Sequence, residues 1–257
     1  MRVIPIPQLS DNYAYLVIDE ATRKAGIVDC SEADKVLPVV EKSGAELVAI
    51  LPTHHHFDHV GGNEDLLKAI PKLEVYGHRG EAQRIPGCNR EVDEGETIRV
   101  GGLAAKILFI PAHTSGHVAY HFEGDKSVFT GDTLFAGGCG RMFEGDAAMM
   151  MKSLSKLMNL PDDTKVYFGH EYTEKNLRFA LTLEPNNEVL KKKHAWAVEQ
   201  RKKDETTVPT TIASEKETNP FFRWKSPELR ACIESKAGGR LDDVGVFAKT
   251  RALKDEF

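Results

Sequence analysis

The segment LVAILPTHHHFDH, residues 47–59, joins a short apolar run to a cluster of histidines. The run LVAIL has the length and composition of a buried β-strand. Four of the ten histidines of the chain, together with one aspartate, lie in the seven residues 53–59 that follow it. Because a turn requires only residues such as Gly, Asn or Pro, this composition indicates a metal site at the end of a strand.

The spacing within the cluster indicates how its side chains can share cations. His54 and His56 are two residues apart, so on an extended segment they project to the same side and can bind one cation, while His55 points away. Asp58 and His59 follow at the turn into GGN and can face a second, neighbouring point. Two metal ions about 3.5–4 Å apart can clamp an attacking oxygen, but they need more ligands than this segment contains.

Three further polar residues follow strand-like runs elsewhere in the chain. AKILFIPAH ends at His113, SVFTGD at Asp132 and KVYFGH at His170. The junction of a strand with a loop is the usual place for functional side chains on a rigid scaffold. The resulting set of five imidazoles and two carboxylates suits Zn²⁺, Fe or Mn rather than Cu(I), which prefers sulfur.

The order of the predicted elements indicates a mixed α/β protein. Short β-type runs separated by Gly, Pro, Asp and Asn occur at 13–18, 24–29, 47–51, 73–77, 96–100, 105–110, 118–122, 127–132 and 165–170. Helical periodicity lies between some of them, at 33–44, 63–70 and 147–160. After His170 the pattern becomes amphipathic and helical, and we expect no strands in residues 171–203.

Composition excludes several classes of protein. A net charge of −5 over 257 residues gives no general attraction to nucleic acid or to anionic membranes, and we expect neither partner. No run of about 18 apolar residues occurs, and the N-terminus lacks the apolar region of a secretion signal. The four cysteines have no C-x-x-C spacing, so we expect reduced thiols in a cytoplasmic protein.

The motifs resemble those of a known superfamily. THHHFDH is similar to the H-x-H-x-D-H signature of the metallo-β-lactamase superfamily, and His113, Asp132 and His170 occur in its order. Within that superfamily the chain resembles the glyoxalase II, or hydroxyacylglutathione hydrolase, family over essentially its whole length. The segments that carry this resemblance are AHTSGH (112–117), FTGDTLFAGGCGRMFEG (129–145), GHEYT (169–173), NPF (219–221) and RALKDEF (251–257).

This resemblance implies the fold and the metal ligands. The expected fold is an α/β, four-layer αββα sandwich followed by a small α-helical domain, with a catalytic domain over 1–172 and a substrate-binding domain over 173–257. The implied ligands are His54, His56 and His113 for one metal and Asp58, His59 and His170 for the other, with Asp132 bridging the two. We expect two divalent ions per chain, Zn²⁺ first, with Fe or Mn as alternatives.

The resemblance also implies the reaction and the residues that bind the substrate. The expected reaction is hydrolysis of S-D-lactoylglutathione to glutathione and D-lactate, in methylglyoxal detoxification. Asp58 and Asp132 would have the catalytic roles, and Tyr172 matches a substrate residue of the family. Arg251 and Lys254 match the C-terminal R-x-x-K motif that holds the glycine carboxylate of glutathione.

Two substrate positions depart from the eukaryotic members of the family. Arg141 and Phe143 stand where those members have Lys and Tyr, so the charge is kept and a hydroxyl is lost. Because bacterial members also show G-C-G-R-x-F, this departure indicates a bacterial-type protein rather than another activity. Because the chain has a net negative charge, it needs fixed cations to hold an anionic substrate. Arg is suited to this role because it can bind a carboxylate through two hydrogen bonds.

Other interpretations of the sequence stay open. A lactonase of the same superfamily would use the same metals, whereas a nuclease would need a basic channel that is not evident. A non-catalytic, zinc-stabilised binding module is a further alternative, although structural zinc sites are usually closed and rich in thiolate. We expect His78 and His194 to be solvated, His55, His117 and His121 to support structure, and the protein to be a monomer.

Overall fold

The computed structural model describes all residues, Met1–Phe257, and its strands form two six-stranded sheets and one two-stranded sheet. The first sheet has the order β1-β2-β3-β4-β5-β6. Its strands are β1 (Arg2–Gln8), β2 (Asn12–Asp19), β3 (Lys24–Val28), β4 (Glu46–Leu51), β5 (Glu74–His78) and β6 (Arg90–Val92). Strands β1 to β3 pair antiparallel, and β3 to β6 pair parallel.

The second large sheet has the order β14-β13-β10-β9-β8-β7. Its strands are β7 (Thr97–Val100), β8 (Leu103–Phe109), β9 (Val118–Phe122), β10 (Ser127–Gly131), β13 (Lys165–Phe168) and β14 (Thr210–Thr211). Strands β11 (Leu134–Phe135) and β12 (Gly138–Cys139) form a separate hairpin. Because β10 and β13 are parallel, their carboxyl ends meet at the same edge of the sheet.

Nine α-helices complete the fold. They are α1 (Ala33–Ser43), α2 (Phe57–Val60), α3 (Asn63–Ala69), α4 (Ala147–Met158), α5 (Thr173–Leu183), α6 (Glu188–Lys202), α7 (Ile212–Thr218), α8 (Pro227–Ala237) and α9 (Asp243–Glu256). Short 3-10 turns occur at Ala82–Arg84 and Glu123–Asp125. No helix is both long enough and apolar enough to cross a bilayer.

Strand β2 shows why the sheets and helices form layers. All eight of its residues are buried, and successive side chains point to opposite faces of the sheet. Leu16 and Ile18 pack with Val36 of α1 and Leu66 of α3, whereas Tyr15 belongs to the core between the two large sheets. Another core joins the second sheet to α4 and to the C-terminal helices. The four-layer αββα sandwich expected from the sequence is thus confirmed.

The C-terminal region is helical, as expected, but one strand comes from its polar stretch. Thr210 and Thr211 form β14, which pairs with β13 at the sheet edge. Phe179, Phe247 and Leu154 belong to one hydrophobic cluster, so α5 and α9 share a core with α4. A domain boundary after residue 172 stays a prediction, and these contacts indicate that the two regions pack as one body.

Candidate metal centre

The ligands predicted from the sequence lie on four loops at one edge of the sandwich. The segment 54–59 follows β4, and His113 lies in the loop from β8 to β9. Asp132 follows β10 and His170 follows β13. All four loops leave strands of rigid, buried sheets, which fixes the positions of their side chains.

Three imidazoles form the first group of possible ligands. His54 Nε2 lies 3.1 Å from His56 Nδ1, and His113 Nε2 lies 3.1 Å from the same His56 atom. The candidate ligand atoms of the three residues all lie within 4.8 Å of one another. Three ring nitrogens in this arrangement can bind one divalent cation.

A second group contains one carboxylate and two imidazoles. Asp58 Oδ2 lies 3.4 Å from His170 Nε2 and 3.6 Å from His59 Nε2. These atoms also lie within 4.8 Å of one another. Asp58 and His59 both lie on the short helix α2, and the ring centre of His59 is 4.2 Å from that of His54 in the first group.

Asp132 lies between the two groups. Its Oδ1 atom is 3.3 Å from His59 Nε2, and its Oδ2 atom is 3.2 Å from His170 Nε2 and 3.5 Å from His113 Nε2. His59 Nε2 and Asp132 Oδ1 are buried and have no hydrogen-bond partner within the protein. Since unpaired polar atoms are rare in protein interiors, these two atoms fit a site built for cations.

The outer nitrogens of the imidazoles have partners that fix the rings. His59 Nδ1 lies 3.0 Å from Asp29 Oδ2, and His170 Nδ1 lies 2.8 Å from Asp11 Oδ1. His113 Nδ1 donates to the carbonyl of Arg141 at 2.9 Å. Such contacts turn the Nε2 atoms inward and increase the basicity of the ligands. Asp29 and Asp11 were not predicted from the sequence, although Asp29 ends the run GIVD in the way that Asp132 ends its own.

Electrostatics divides the histidines into two sets. Burial holds the pKa of His54 well below its ordinary value, and it lowers the pKa of His56 to about 4. Burial also acts to lower the pKa of His59, but the carboxylates of Asp132 and Asp29 outweigh it and raise that pKa to about 10. The first group is therefore neutral at pH 7, whereas His59 holds a proton when no metal is bound.

The remaining histidines have structural contacts. His117 stacks on His54, with ring centres 4.7 Å apart, and its Nε2 atom accepts a hydrogen bond from the backbone of Asp132 at 3.2 Å. The expectation that His78 is solvated was wrong, because it is buried and stacked on Phe109 with ring centres 4.3 Å apart. His121 is buried as well.

A cavity of about 430 Å³ opens beside the candidate metal ligands, and every predicted substrate residue lines its wall. The predicted residues there are Arg141, Phe143, Tyr172, Arg251 and Lys254. Lys175 and Asn176, which were not predicted from the sequence, also line it. They follow Tyr172 by three and four residues on α5, so helical spacing from Tyr172 could have identified them.

The aromatic side of the cavity contacts the ligands directly. The Tyr172 ring stacks on His170, with centres 4.8 Å apart and planes 4° apart. Phe143 is 61% exposed and presents its ring to His56 and His113 at 5.7 and 5.3 Å. An exposed phenyl ring above metal ligands provides an apolar surface for part of a ligand.

The basic side of the cavity is organised by Asp255. Arg251 is buried, donating to the carbonyl of Cys139 at 2.8 Å and to Asp255 at 3.1 Å. Arg141 donates to the same carboxylate at 3.2 Å. The ammonium of Lys254 has no carboxylate partner and lies 5.4 Å from the ring centre of Phe179. Lys254 is therefore available to an anionic ligand, as is Lys175, which also lines the cavity and has no carboxylate partner.

Replacing Gly169 with alanine is expected to disrupt the centre without unfolding the protein. A Cβ atom at Gly169 would lie 2.3 Å from Asp132 Oδ1 and 2.8 Å from His59 Cε1, so both ligands must move. We expect Gly169→Ala to lose most bound metal, as measured by elemental analysis after dialysis. Gly124→Ala, where a Cβ atom would meet nothing within 4 Å, is the control. Full metal content in Gly169→Ala would contradict the positions of these ligands.

Comparison with known proteins agrees with this geometry. Residues 11–170 match the model of the metallo-beta-lactamase superfamily, and residues 171–257 match that of the hydroxyacylglutathione hydrolase C-terminus. Proteins named hydroxyacylglutathione hydrolase from Synechococcus sp. (strain JA-3-3Ab) and Gloeobacter violaceus are 49% and 48% identical to the chain. Both alignments span 257 residues and cover the whole of each protein.

Solved structures show the same fold. ETHE1 from Myxococcus xanthus has a TM-score of 0.68 and 27% identity, with each chain fully covered. TTHA1623, solved in a di-iron-bound form, has a TM-score of 0.61 and 28% identity over 86% of this chain and all of its own. From the two family models and the full-length matches, the chain belongs to the hydroxyacylglutathione hydrolase family of the metallo-β-lactamase superfamily.

Proposed function

We propose that the protein hydrolyses the thioester S-D-lactoylglutathione to glutathione and D-lactate, as part of methylglyoxal detoxification. The observation that carries this proposal is one cavity that joins a cluster of metal ligands to basic side chains on the C-terminal helix. Full-length relatives named hydroxyacylglutathione hydrolase support the thioester substrate.

Seven side chains would hold two divalent cations. His54, His56 and His113 would bind one, Asp58, His59 and His170 the other, and Asp132 both. When bound, such a pair supplies an activated water near neutral pH and polarises the carbonyl of the substrate. We propose Zn²⁺ in both positions, because the donors are nitrogen and oxygen atoms, with Fe or Mn as alternatives. The di-iron-bound form of TTHA1623 supports iron as the first alternative.

Asp58 is the residue that we assign to proton handling. Its Oδ2 atom accepts a hydrogen bond from Asn12 Nδ2 at 3.0 Å and faces His170. Burial acts to raise the pKa of this carboxyl, but contacts with His170, His59 and Asn12 outweigh it and hold the pKa well below its usual range. Asp58 is therefore ionised at neutral pH and can accept a hydrogen bond from the attacking water. Because a thiol has a pKa of about 8.5, the leaving glutathione needs no separate general acid.

The basic side chains would hold glutathione by its carboxylates. We assign Lys254 and Arg251 to the glycine carboxylate and Arg141 to the adjoining part of the peptide. Tyr172 and Phe143 would border the thioester, since both rings contact metal ligands. Fixed cations are needed because the chain as a whole has a net charge of −5 and does not attract anions. We also propose that the protein acts as a cytoplasmic monomer.

Turnover on three substrates tests the proposed function. Metal-reconstituted protein is assayed with lactoylglutathione, a lactone and a phosphodiester. We expect kcat/KM for the thioester to exceed the other two by at least about a hundredfold, since only the thioester uses the basic end of the cavity. A preference for the lactone would identify a lactonase, and bound metal without turnover of any ester would identify a binding module.

Substrate binding is expected to weaken as the pH rises through 8. Burial and the neighbouring cations Arg251, Lys175 and Arg178 lower the pKa of Lys254 to about 8. Its ammonium is charged below that pH and neutral above it, so KM for lactoylglutathione should rise roughly tenfold between about pH 7 and pH 9. Lys254→Arg keeps its charge throughout and should show little change in KM. The same rise in both proteins would show that another group is responsible.

A further inference from the structure

His55, which lies between two candidate metal ligands, faces a buried glutamate instead of the metals. Its Nδ1 atom is 3.0 Å from Glu81 Oε2. The Glu81 side chain has no exposed surface, and that of His55 is 10% exposed. The two atoms make a close contact rather than an aligned hydrogen bond, and neither has another partner within the protein.

The other oxygen of Glu81 holds a different metal-binding loop. Oε1 accepts a hydrogen bond from the backbone N–H of Gly116 at 2.7 Å. Gly116 lies three residues after His113 in the same loop. One buried carboxylate, from the segment that follows β5, therefore contacts both loops that supply the first group of ligands. Glu81 does not line the cavity, so we expect it to make no contact with the substrate.

Glycine at position 116 is required by this contact. A Cβ atom there would lie 2.5 Å from Glu81 Cγ and 2.8 Å from Glu81 Cβ, which no real packing allows. The backbone of the loop therefore rests directly on the glutamate side chain. A nearby carboxylate makes a parallel contact, since Glu144 accepts a hydrogen bond from the backbone of Ser115 at 2.8 Å and lies 3.9 Å from His55 Nε2.

Other contacts also join the two loops. The backbone of Val118 donates to the carbonyl of Thr53 at 2.9 Å, and Glu144 contacts both Ser115 and His55. The candidate ligands His56 and His113 also meet, with ring nitrogens 3.1 Å apart. Of the two carboxylates that contact both loops, Glu81 has no exposed side-chain surface, whereas Glu144 is 25% exposed. Glu81 is therefore the fully buried connection between the loops.

We propose that Glu81 is a positioning residue that sets the distance between His113 and the pair His54 and His56, and thereby the affinity of the first metal position. This inference rests on the binuclear centre of the proposed function. Residues outside the ligand set typically change metal affinity about 10–100-fold when they are removed. The second position should be unaffected, because Asp29, Asp11 and Asn12, rather than Glu81, hold its ligands.

Competition with a chromophoric chelator measures the two zinc affinities in the intact protein. We expect Glu81→Ala to weaken one of the two affinities at least tenfold and to leave the other within about threefold of the original protein. His56→Ala and His170→Ala serve as references that mark the loss of the first and second positions. Glu81→Gln keeps an oxygen for Gly116 and a nitrogen beside His55, so it should retain both affinities within about threefold.

Glu184→Ala is the matched control for loss of a buried carboxylate. Glu184 is only 2% exposed and binds Arg223 and Ser226. Its hydrogen-bond partners do not include a candidate metal ligand. Glu184→Ala should lower the temperature of unfolding without changing either zinc affinity. If Glu81→Ala lowers the zinc affinities of both positions equally, or lowers neither, the proposal is wrong. If Glu81→Gln binds zinc at the first position as weakly as Glu81→Ala, then the charge of Glu81 and not its position controls the affinity, and the proposal is also wrong.

A double substitution tests the contact itself. Gly116→Ala should lower the zinc affinity of the first position as much as Glu81→Ala does. The double variant should bind zinc no more weakly than either single variant, because the alanine side chain no longer clashes once the glutamate is removed. Should Glu81→Ala fail to fold, Glu81→Asp decides the matter. Its shorter side chain cannot reach both loops, so unchanged affinities would overturn the proposal. Turnover of lactoylglutathione by the original protein tests the proposed function separately and does not depend on these variants.

Discussion

Asp132→Ala is expected to lose both metal ions and hydrolysis together. Asp132 presents Oδ1 to His59 and Oδ2 to His170 and His113, so one carboxylate contacts both groups of ligands. Without it, the two groups lose the one carboxylate that they share, and only Asp58 remains beside the Nε2 atoms of His59 and His170. We expect less than one metal ion per chain after dialysis and a fall in kcat/KM of at least about 10³-fold, or about 4 kcal/mol of transition-state stabilisation.

Asp163→Ala is the control for this substitution. Asp163 is exposed and pairs with Lys126 at 2.5 Å, outside the metal centre. The Asp163→Ala variant should keep its full metal content and its full rate of thioester hydrolysis. Elemental analysis and a thioester assay on both proteins decide the question. Normal metal content in Asp132→Ala would refute the bridging assignment, whereas unfolding, detected by circular dichroism, would be resolved with the isosteric Asp132→Asn.

Zinc binding is expected to strengthen steeply with pH and to release protons. In the metal-free protein burial opposes protonation of His59 and His170, but neighbouring carboxylates, Asp132 foremost, raise their pKa values to about 10 and about 12. Both rings are therefore protonated at pH 7 and must lose their protons to bind metal. The affinity of the second position should rise about a hundredfold per pH unit below about pH 10.

The zinc affinity of the first position should change much less with pH. Burial lowers the pKa values of His54, His56 and His113, so these rings are already neutral at pH 7. We expect about two protons to be released per chain when zinc fills both positions, measured with a pH indicator in weak buffer. On acidification the second position should empty first. Proton release near zero, or equal pH dependence of both positions, would contradict the charge distribution described above.

Much of this cluster could be predicted from the sequence because its candidate ligands obey local rules. His54 and His56 alternate after β4, and Asp132 and His170 each end a strand whose apolar run is plain in the sequence. Strand β1 was missed, since RVIPIPQ contains two prolines. Those prolines are compatible with β1 only because it lies at the sheet edge and pairs with β2 alone.

The supporting contacts could not be predicted because they join distant segments. Asp11 lies 159 residues from His170, and Glu81 lies 35 residues from Gly116. Neither carboxylate lies at the end of an apolar run, so nothing in its local sequence distinguishes it from a surface residue. The polar stretch around Thr210 similarly becomes β14 only because the edge of β13 is available to it.

Anomalous diffraction from crystals grown with excess zinc would locate the bound cations directly. We expect two peaks about 3.5–4 Å apart, one among His54, His56 and His113 and the other among Asp58, His59 and His170, with Asp132 between them. A single peak outside these groups, or rings turned away from an empty cleft, would contradict this assignment.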